Sequence, residues 1–326
     1  MSIFSSERLV RTAVLSLLAG GVAVGAYDAT VALSDGTGAG TPAAPSVAVK
    51  AKAVSFTTAG VGECVTWDVG EDGSVVNFTQ TDCDNPHRFE ISSRQDLGAI
   101  PSSEYGPNAT PPDLTRQAQL REDLCAGPTL EYLGGKYDPA GIFSIASILP
   151  PALAWENGDR TMLCGVQVTD DRGTILLSSG KATERDQTRV AEPGQCVRID
   201  DSDAPHLVDC GEPHSYEVTK VIDLTTVFDR FPAPEEQDAY LKETCTQADM
   251  DYLGGDDPLY YSTLSVYWTT VTADAWNAGS HSAECALFHP TPDAGFSQLV
   301  GSATGEFTID GNPPEARPER RPLRNP

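Results

Sequence analysis

Two short stretches bring together side chains able to do chemistry. They are Cys83-Asp-Asn-Pro-His87-Arg-Phe-Glu90 and Cys210-Gly-Glu-Pro-His214-Ser-Tyr-Glu217, with Cys, Pro, His and Glu at the same relative positions. A histidine and a glutamate three residues apart could ligate a metal, but the third and fourth ligands of an ordinary zinc centre are missing nearby. They could also act as a general base and the acid that orients it, yet no nucleophile accompanies both copies. In the remaining reading, Pro-His closes a turn after a cysteine-bearing strand and the imidazole bonds to backbone. Phe89, Ile91, Tyr216 and Val218 then form the core face of the next strand. This last role is expected, with no metal, no cofactor and no catalysis, and His87, Glu90, His214 and Glu217 stand as the candidate ligand positions.

Trp155 and Trp276 each precede a glycine by three residues and a cysteine by nine. They could stack on sugar rings, but packing over a disulfide is the expected role. Asp200, Asp201 and Asp203 could hold calcium weakly, yet the glycine and closing glutamate of an EF-hand loop are absent. The chain contains no Gly-x-Ser-x-Gly elbow, no His-Glu-x-x-His, no Walker loop and no dinucleotide fingerprint.

The elements that position these residues also occur twice. Gly62-Glu-Cys64-Val returns as Gly194-Gln-Cys196-Val, and the His motif opens with Cys83 or Cys210. Cys125 stands six residues before Glu131-Tyr-Leu-Gly-Gly135, and Cys245 six before Asp251-Tyr-Leu-Gly-Gly255. Cys164 and Cys285 follow the tryptophans. Such an ordered recurrence reads as a duplication.

Cys64–Trp67 and Val75–Thr81 are β-prone runs flanking Gly70-Glu-Asp72-Gly73, where Asp-Gly is a hairpin turn. The midpoint between Cys64 and Cys83 falls beside that turn, and the midpoint between Cys196 and Cys210 falls in Asp200-Asp-Ser-Asp203-Ala-Pro205. Across such hairpins Cys64 faces Cys83 and Cys196 faces Cys210. Cys125–Cys164 and Cys245–Cys285 are then the remaining pairs, although four cysteines allow three connectivities. The run Glu235–Leu253 reads as a helix, with Pro232 and Pro234 before it, Glu235 and Glu236 in its first turn and Gly254-Gly255 at its end. Its counterpart Asp113–Leu133 contains Pro128, which is expected to kink or interrupt it. The fold class is therefore α+β: two tandem homologous domains, each a small antiparallel sheet with one main helix and two disulfides.

Compartment follows from the N-terminus. Arg8 and Arg11 precede an uncharged run from Thr12 to Ala26, short for a spanning helix of about 20 residues. Extended to Leu33 it becomes a transmembrane anchor containing one acid, Asp28; ending at Val24-Gly-Ala26 it resembles a cleaved signal peptide. Either way the remainder is exported, single-pass in the cell membrane or secreted, where eight cysteines become disulfides. The balance of 22 basic against 47 acidic residues, net −25, argues against nucleic acid as a partner.

The doubled pattern Gly-x-Cys … Cys-x-x-Pro-His-x-x-Glu … Cys … Trp-x-x-Gly … Cys resembles the septum-formation domain family over roughly residues 60–290. These are actinobacterial envelope proteins, often with one membrane span followed by such domains. The resemblance implies an exported domain associated with the cell envelope and with division. With no catalytic motif beyond the His-Glu pairs, a membrane-held, non-enzymatic module with an envelope or division protein as partner is expected. The order expected is a cytoplasmic N-terminus at 1–11, an anchor or signal at 12–33 and a flexible linker at 34–59. A first domain follows at 60–172, a linker at 173–191, a second domain at 192–290 and a disordered Pro- and Arg-containing tail at 291–326. Arg317, Arg320, Arg321 and Arg324 of that tail could touch anionic polymers or the acidic domains. Asp159 and Arg160 follow Trp155-Glu-Asn-Gly158 only in the first copy, so a role resting on them would belong to that copy alone.

Overall fold

A computed structural model describes residues 56–71 and 75–320. The expected anchor or signal at 12–33, most of the linker at 34–59, the turn residues Asp72 and Gly73, and Arg321 and Arg324 lie outside the described residues. The chain divides into two compact units. One holds the described residues up to Tyr132 together with Ile145–Ala182, the other Leu133–Ser144 together with Thr183 onward.

In the first unit β1 (Cys64–Val69) and β2 (Val75–Thr81) form the expected antiparallel hairpin, with Cys64 opposite Thr81. β3 (Phe89–Asp96), α1 (Leu114–Tyr132), β4 (Phe143–Ile148), the short α2 (Ala152–Glu156) and β5 (Thr161–Val168) follow. The sheet order is β2-β1-β3-β5-β4. β5, between β3 and β4, is buried on both faces, which explains its apolar run Met162–Val166. Met162 and Cys164 face α1 with Leu97, Leu120, Cys125 and Trp155, whereas Leu163 packs opposite with Val65, Trp67, Phe89 and Ile91.

α1 runs through Pro128 without a break, contrary to the expected interruption. Tertiary bonds hold the turn beyond the proline: Thr129 Oγ1 lies 2.7 Å from Ser92 Oγ, and the Tyr132 hydroxyl donates to Glu90. The linker also ends earlier than residue 59. Phe56 packs against the first core, Ala59 is fully buried, and the Phe56 N–H donates to Asp159 Oδ2 at 2.8 Å.

The second unit repeats the plan. β6 (Cys196–Ile199), β7 (Pro205–Val208), β8 (Tyr216–Asp223), α3 (Pro234–Leu253), α4 (Asp256–Ser262), β9 (Ser265–Trp268), α5 (Ala273–Ala278) and β10 (Ser282–Phe288) give a sheet ordered β7-β6-β8-β10-β9. α3 starts one residue before the expected Glu235 because Pro234 occupies its first turn, where the missing N–H costs nothing. Glu236 accepts from the Ala233 N–H at 2.8 Å, and Gly254 at φ 88° ends the helix.

The disulfides are the two expected across the hairpins, Cys64–Cys83 and Cys196–Cys210, and the two remaining pairs, Cys125–Cys164 and Cys245–Cys285. Cys125–Cys164 ties α1 to β5 and Cys245–Cys285 ties α3 to β10, while the other two close the hairpins.

Two segments depart from expectation. Residues 173–191 are no free linker, because Ile175 covers the first core and Asp186 and Gln187 are stitched into the second unit. Asp186 Oδ1 accepts from the N–H groups of Thr188 and His281, and Gln187 bonds Asp138, Lys136 and Gly279. Residues 291–320 are no disordered tail either: they carry β11 (Leu299–Val300) and β12 (Thr308–Ile309), with Phe296 and Leu299 in the core. Their polarity misleads because most of their bonds are made by backbone groups, which composition does not display.

Candidate functional site

Each His motif begins in a tight turn, closed by the Asn85 N–H on Asp82 O at 3.0 Å and by the Glu212 N–H on Asp209 O at 2.8 Å. Asp82 and Asp209 add Asx bonds to the next N–H but one. Proline then delivers the histidine into an extended pairing with a later segment. His87 exchanges backbone bonds with Ser178 at 2.8 and 2.9 Å, and His214 with Leu299 at 3.0 and 2.9 Å. Both imidazoles are buried, with Nδ1 3.0 Å from Asn85 O and 2.9 Å from Glu212 O. A carbonyl only accepts, so Nδ1 donates in both rings.

The glutamates complete the grip. Buried Glu90 accepts from the Tyr132 hydroxyl and, at 2.7 Å, from the Ala182 N–H. Buried Glu217 accepts from the Tyr252 hydroxyl at 2.5 Å, the Ser302 hydroxyl at 2.8 Å and the Ala303 N–H at 2.7 Å. Cys83 O and Cys210 O each accept an N–H, from Gly180 and Gly301, at 2.7 Å.

The two gripped segments correspond residue for residue, although the sequence reading passed over them. Gly180-Lys-Ala-Thr183 and Gly301-Ser-Ala-Thr304 share a Gly-x-Ala-Thr pattern, a short signal that self-comparison could have found. Upstream, the bridge Thr169–Ile175 matches Pro290–Phe296, and Gly173 and Ala294 both adopt positive φ. Each unit thus ends in an arm that returns to its own Cys-x-x-Pro-His-x-x-Glu motif. Tyr132 and Tyr252, which the sequence shows only within the repeated Tyr-Leu-Gly-Gly stretch at the end of each long helix, also bond the glutamate that holds the arm.

The copies differ at the imidazole Nε2. In the first it lies 3.5 Å from Ser178 Oγ; in the second Leu299 takes the place of Ser178, and His214 Nε2 is buried without a hydrogen-bond partner. Ligand atoms of Cys64, His87 and Glu90 lie within 4.8 Å of one another, as do those of Cys196, Cys210 and Glu217. Every one of these sulfurs sits in a disulfide and offers no thiolate. The oxidised sets reduce to an imidazole with a carboxylate and to a carboxylate alone, fewer donors than zinc needs. Oxidised protein equilibrated with zinc and desalted is expected to retain well below about one ion per chain by elemental analysis. Stoichiometric zinc would show that Glu90 or Glu217 leaves its arm to become a ligand.

Trp155 is buried over the Cys125–Cys164 disulfide, its Nε1–H donating to Ala109 O at 2.7 Å and its ring covered by the Arg160 guanidinium at 4.1 Å. Arg160 donates to the carbonyls of Tyr105, Trp155, Asp159 and Gly106. In the second unit His281 stands where Arg160 does, edge-on to Trp276 at 4.8 Å, and Trp276 is half-buried against the core holding Cys245 and Cys285. Asp200 spends its carboxylate within its own turn, on the N–H groups of Ser202 and Ala204, the Ser202 hydroxyl and His206 Nε2. Those bonds, the Ser202 hydroxyl first, hold its pKa well below the usual range.

One buried acid lies apart from the motif. Asp249 on α3 is fully buried, with Oδ1 2.6 Å from Thr219 Oγ1 and Oδ2 without a partner. Thr219 Oγ1 is also 3.1 Å from Cys285 O, and one hydroxyl proton cannot serve both acceptors. A protonated Asp249 resolves this by donating to Thr219, which then donates to Cys285. The matching pair in the first unit, Ser92 and Thr129, is neutral throughout. Burial, against the opposing Thr219 bond, pushes Asp249 up to about 7. The folded-state value is raised, so the acid's contribution to stability is full below pH about 4 and falls away as pH rises to about 7. Asp249→Asn mimics the protonated form. Its advantage over the parent should appear across that window in denaturant titrations and reach at most about 4 kcal/mol above pH 8. A gap that does not change with pH would mean that Asp249 is ionised in the folded chain.

Among the described residues no helix is long and apolar enough to cross a membrane. Residues 61–285 match the family model described as Septum formation. Two uncharacterized membrane proteins from two strains of Mycobacterium tuberculosis are each 35% identical to the chain over 282 residues, covering 84% of the chain and 61% of the relative. The chain thus spans about 61% of the length of these curated relatives. No solved structure matches it.

Proposed function

Because the chain belongs to the septum-formation family across residues 61–285, we propose that it is a non-enzymatic interaction protein of the bacterial cell envelope. Residues 12–33 hold it in the membrane or direct its export, and the two disulfide-braced units stand outside the cytoplasm and engage an envelope or division protein. The observation that carries this reading is the fate of the repeated ionisable pair. Glu90 and Glu217 are consumed in holding the arms, and His87 and His214 in closing the turns. A general base must reach substrate with a free lone pair. Both imidazoles are instead buried beneath backbone of their own unit. The membrane-protein names of the mycobacterial relatives support the location.

Proximity labelling from a fusion to the full chain in dividing cells tests the proposal. Enrichment of envelope and septal proteins is expected, and a list without them would overturn it. A metal-binding or hydrolytic module is the second reading, favoured by the unpartnered Nε2 of His214. It requires His214→Ala to abolish an activity while leaving the unfolding midpoint unchanged.

A further inference from the structure

The second unit carries a feature that its motif does not explain. On α4, Asp256 and Tyr260 stand four residues apart and therefore side by side on one helix face, with Asp257 adjoining. The Tyr260 ring meets Tyr261 edge-on at 5.1 Å. Across this face runs the segment Arg317-Pro-Glu-Arg320. The Arg320 guanidinium lies 4.4 Å from the Tyr260 ring centre, pairs with Asp256 and stands 3.9 Å from Asp257 Oδ1. The Arg317 guanidinium lies 4.9 Å from the same ring, and between them the Tyr260 hydroxyl donates to Pro318 O at 3.3 Å.

The spacing has a physical basis. The segment has no regular secondary structure and is rich in proline, at 313, 314 and 318. A chain of this kind favours the polyproline conformation with three residues per turn, which puts residues three apart on one edge. Arg317 and Arg320 therefore present two planar cations to one aromatic ring, while the carbonyl between them faces the phenol. Guanidinium suits this face better than ammonium, because it both stacks on the ring and forks onto a carboxylate. All of these contacts are exposed and screened by salt, so they exchange readily.

We propose that Asp256, Asp257 and Tyr260 form a recognition site for extended Arg-Pro-x-Arg segments of a partner protein, and that the chain's own Arg317–Arg320 is a tethered competitor covering it. This deepens the interaction reading by naming a surface and the partner's chemistry, and it rests on that reading for the partner being a protein. A tethered segment competes at an effective concentration far above that of a free one, so the parent chain should bind such a partner weakly until the cover is displaced.

The test uses the full chain with Arg317→Ala and Arg320→Ala, which leaves the site uncovered, and a labelled peptide copying residues 313–320. Fluorescence anisotropy should show the peptide binding this variant at least about tenfold more tightly than the parent. Adding Tyr260→Ala, changing both peptide arginines to lysine, or raising the salt to about 0.5 M should each reverse most of that gain. Unchanged circular dichroism establishes that the variants are folded. Equal binding with and without Tyr260, or no binding to the uncovered chain at millimolar peptide, overturns the proposal. Concentration-dependent association of the parent chain that is lost with Arg317 and Arg320 also overturns it, making the occupant a second copy. Because the assay contains no cell component, its failure leaves the proximity-labelling result untouched, and the reverse holds as well.

Discussion

Replacing Glu217 with alanine should destabilise the second unit by about 3–5 kcal/mol, because three donors lose their acceptor in a buried site. Each buried donor left unpaired costs about 1–3 kcal/mol. The Tyr252 and Ser302 hydroxyls have some freedom to turn elsewhere, but the Ala303 N–H has none. Glutamine is the informative comparison. It preserves shape but sets an amide NH2 against either the Ala303 N–H or the tyrosine hydroxyl, so about 1–3 kcal/mol should still be lost. Denaturant unfolding followed by tryptophan emission separates the units when two tryptophans are changed to phenylalanine, since Trp67 and Trp155 report the first and Trp268 and Trp276 the second. A Glu217→Ala chain within about 1 kcal/mol of the parent would mean that the arm is not held by this carboxylate.

Removing Cys245 and Cys285 together should cost the second unit about 4 kcal/mol, more than the loss of about 3 expected for Cys196 and Cys210. The difference follows from sequence separations of 40 and 14 residues, since the longer closure removes more freedom from the unfolded chain. Packing adds to it: the α3 disulfide lies in the core with Leu241, Ala248 and Ala283, whereas Cys210 is only half-buried at the hairpin end. The check is nonreducing urea unfolding of alanine pairs. Equal losses, or a larger loss for the hairpin pair, would show that the reduced state keeps structure around α3.

The parts legible in sequence were those whose physics is local. An Asp-Gly pair between β-prone runs predicts the pairing of β1 with β2 and so the nearness of Cys64 and Cys83, and the spacing of Tyr240, Leu241, Cys245 and Ala248 marks the buried face of α3. The turn that holds His87 and His214, and the bond of each ring to backbone, were also readable, since Pro-His after a strand has few places to go. The arms were not. Their hold depends on the N–H groups of Gly180, Ala182, Gly301 and Ala303, which every residue but proline possesses, and on carboxylates about 90 positions upstream. Pro128 misled for the complementary reason. Local propensity counts the bond it removes, while Thr129 and Tyr132 are held by β3. Asp249 was invisible because an acid on a helix is ordinary until its neighbours are known.

The arms also decide how each unit would carry a load. In the first unit Gly62 and Glu63 pair with Ile91, next to Glu90, and the arm reaches that same glutamate at Ala182. In the second unit Gly194 and Gln195 pair with Val218, beside Glu217, and the arm reaches that glutamate at Ala303. The approach to the first strand and the end of the arm therefore meet at one point in each unit, like the two ends of a loop gathered in a clasp. A pull applied between these two points falls first on that clasp and on the adjoining disulfide, Cys64–Cys83 or Cys196–Cys210. The long helix and the strand disulfide-bonded to it lie inside the loop, and such a pull reaches them only once the clasp has opened.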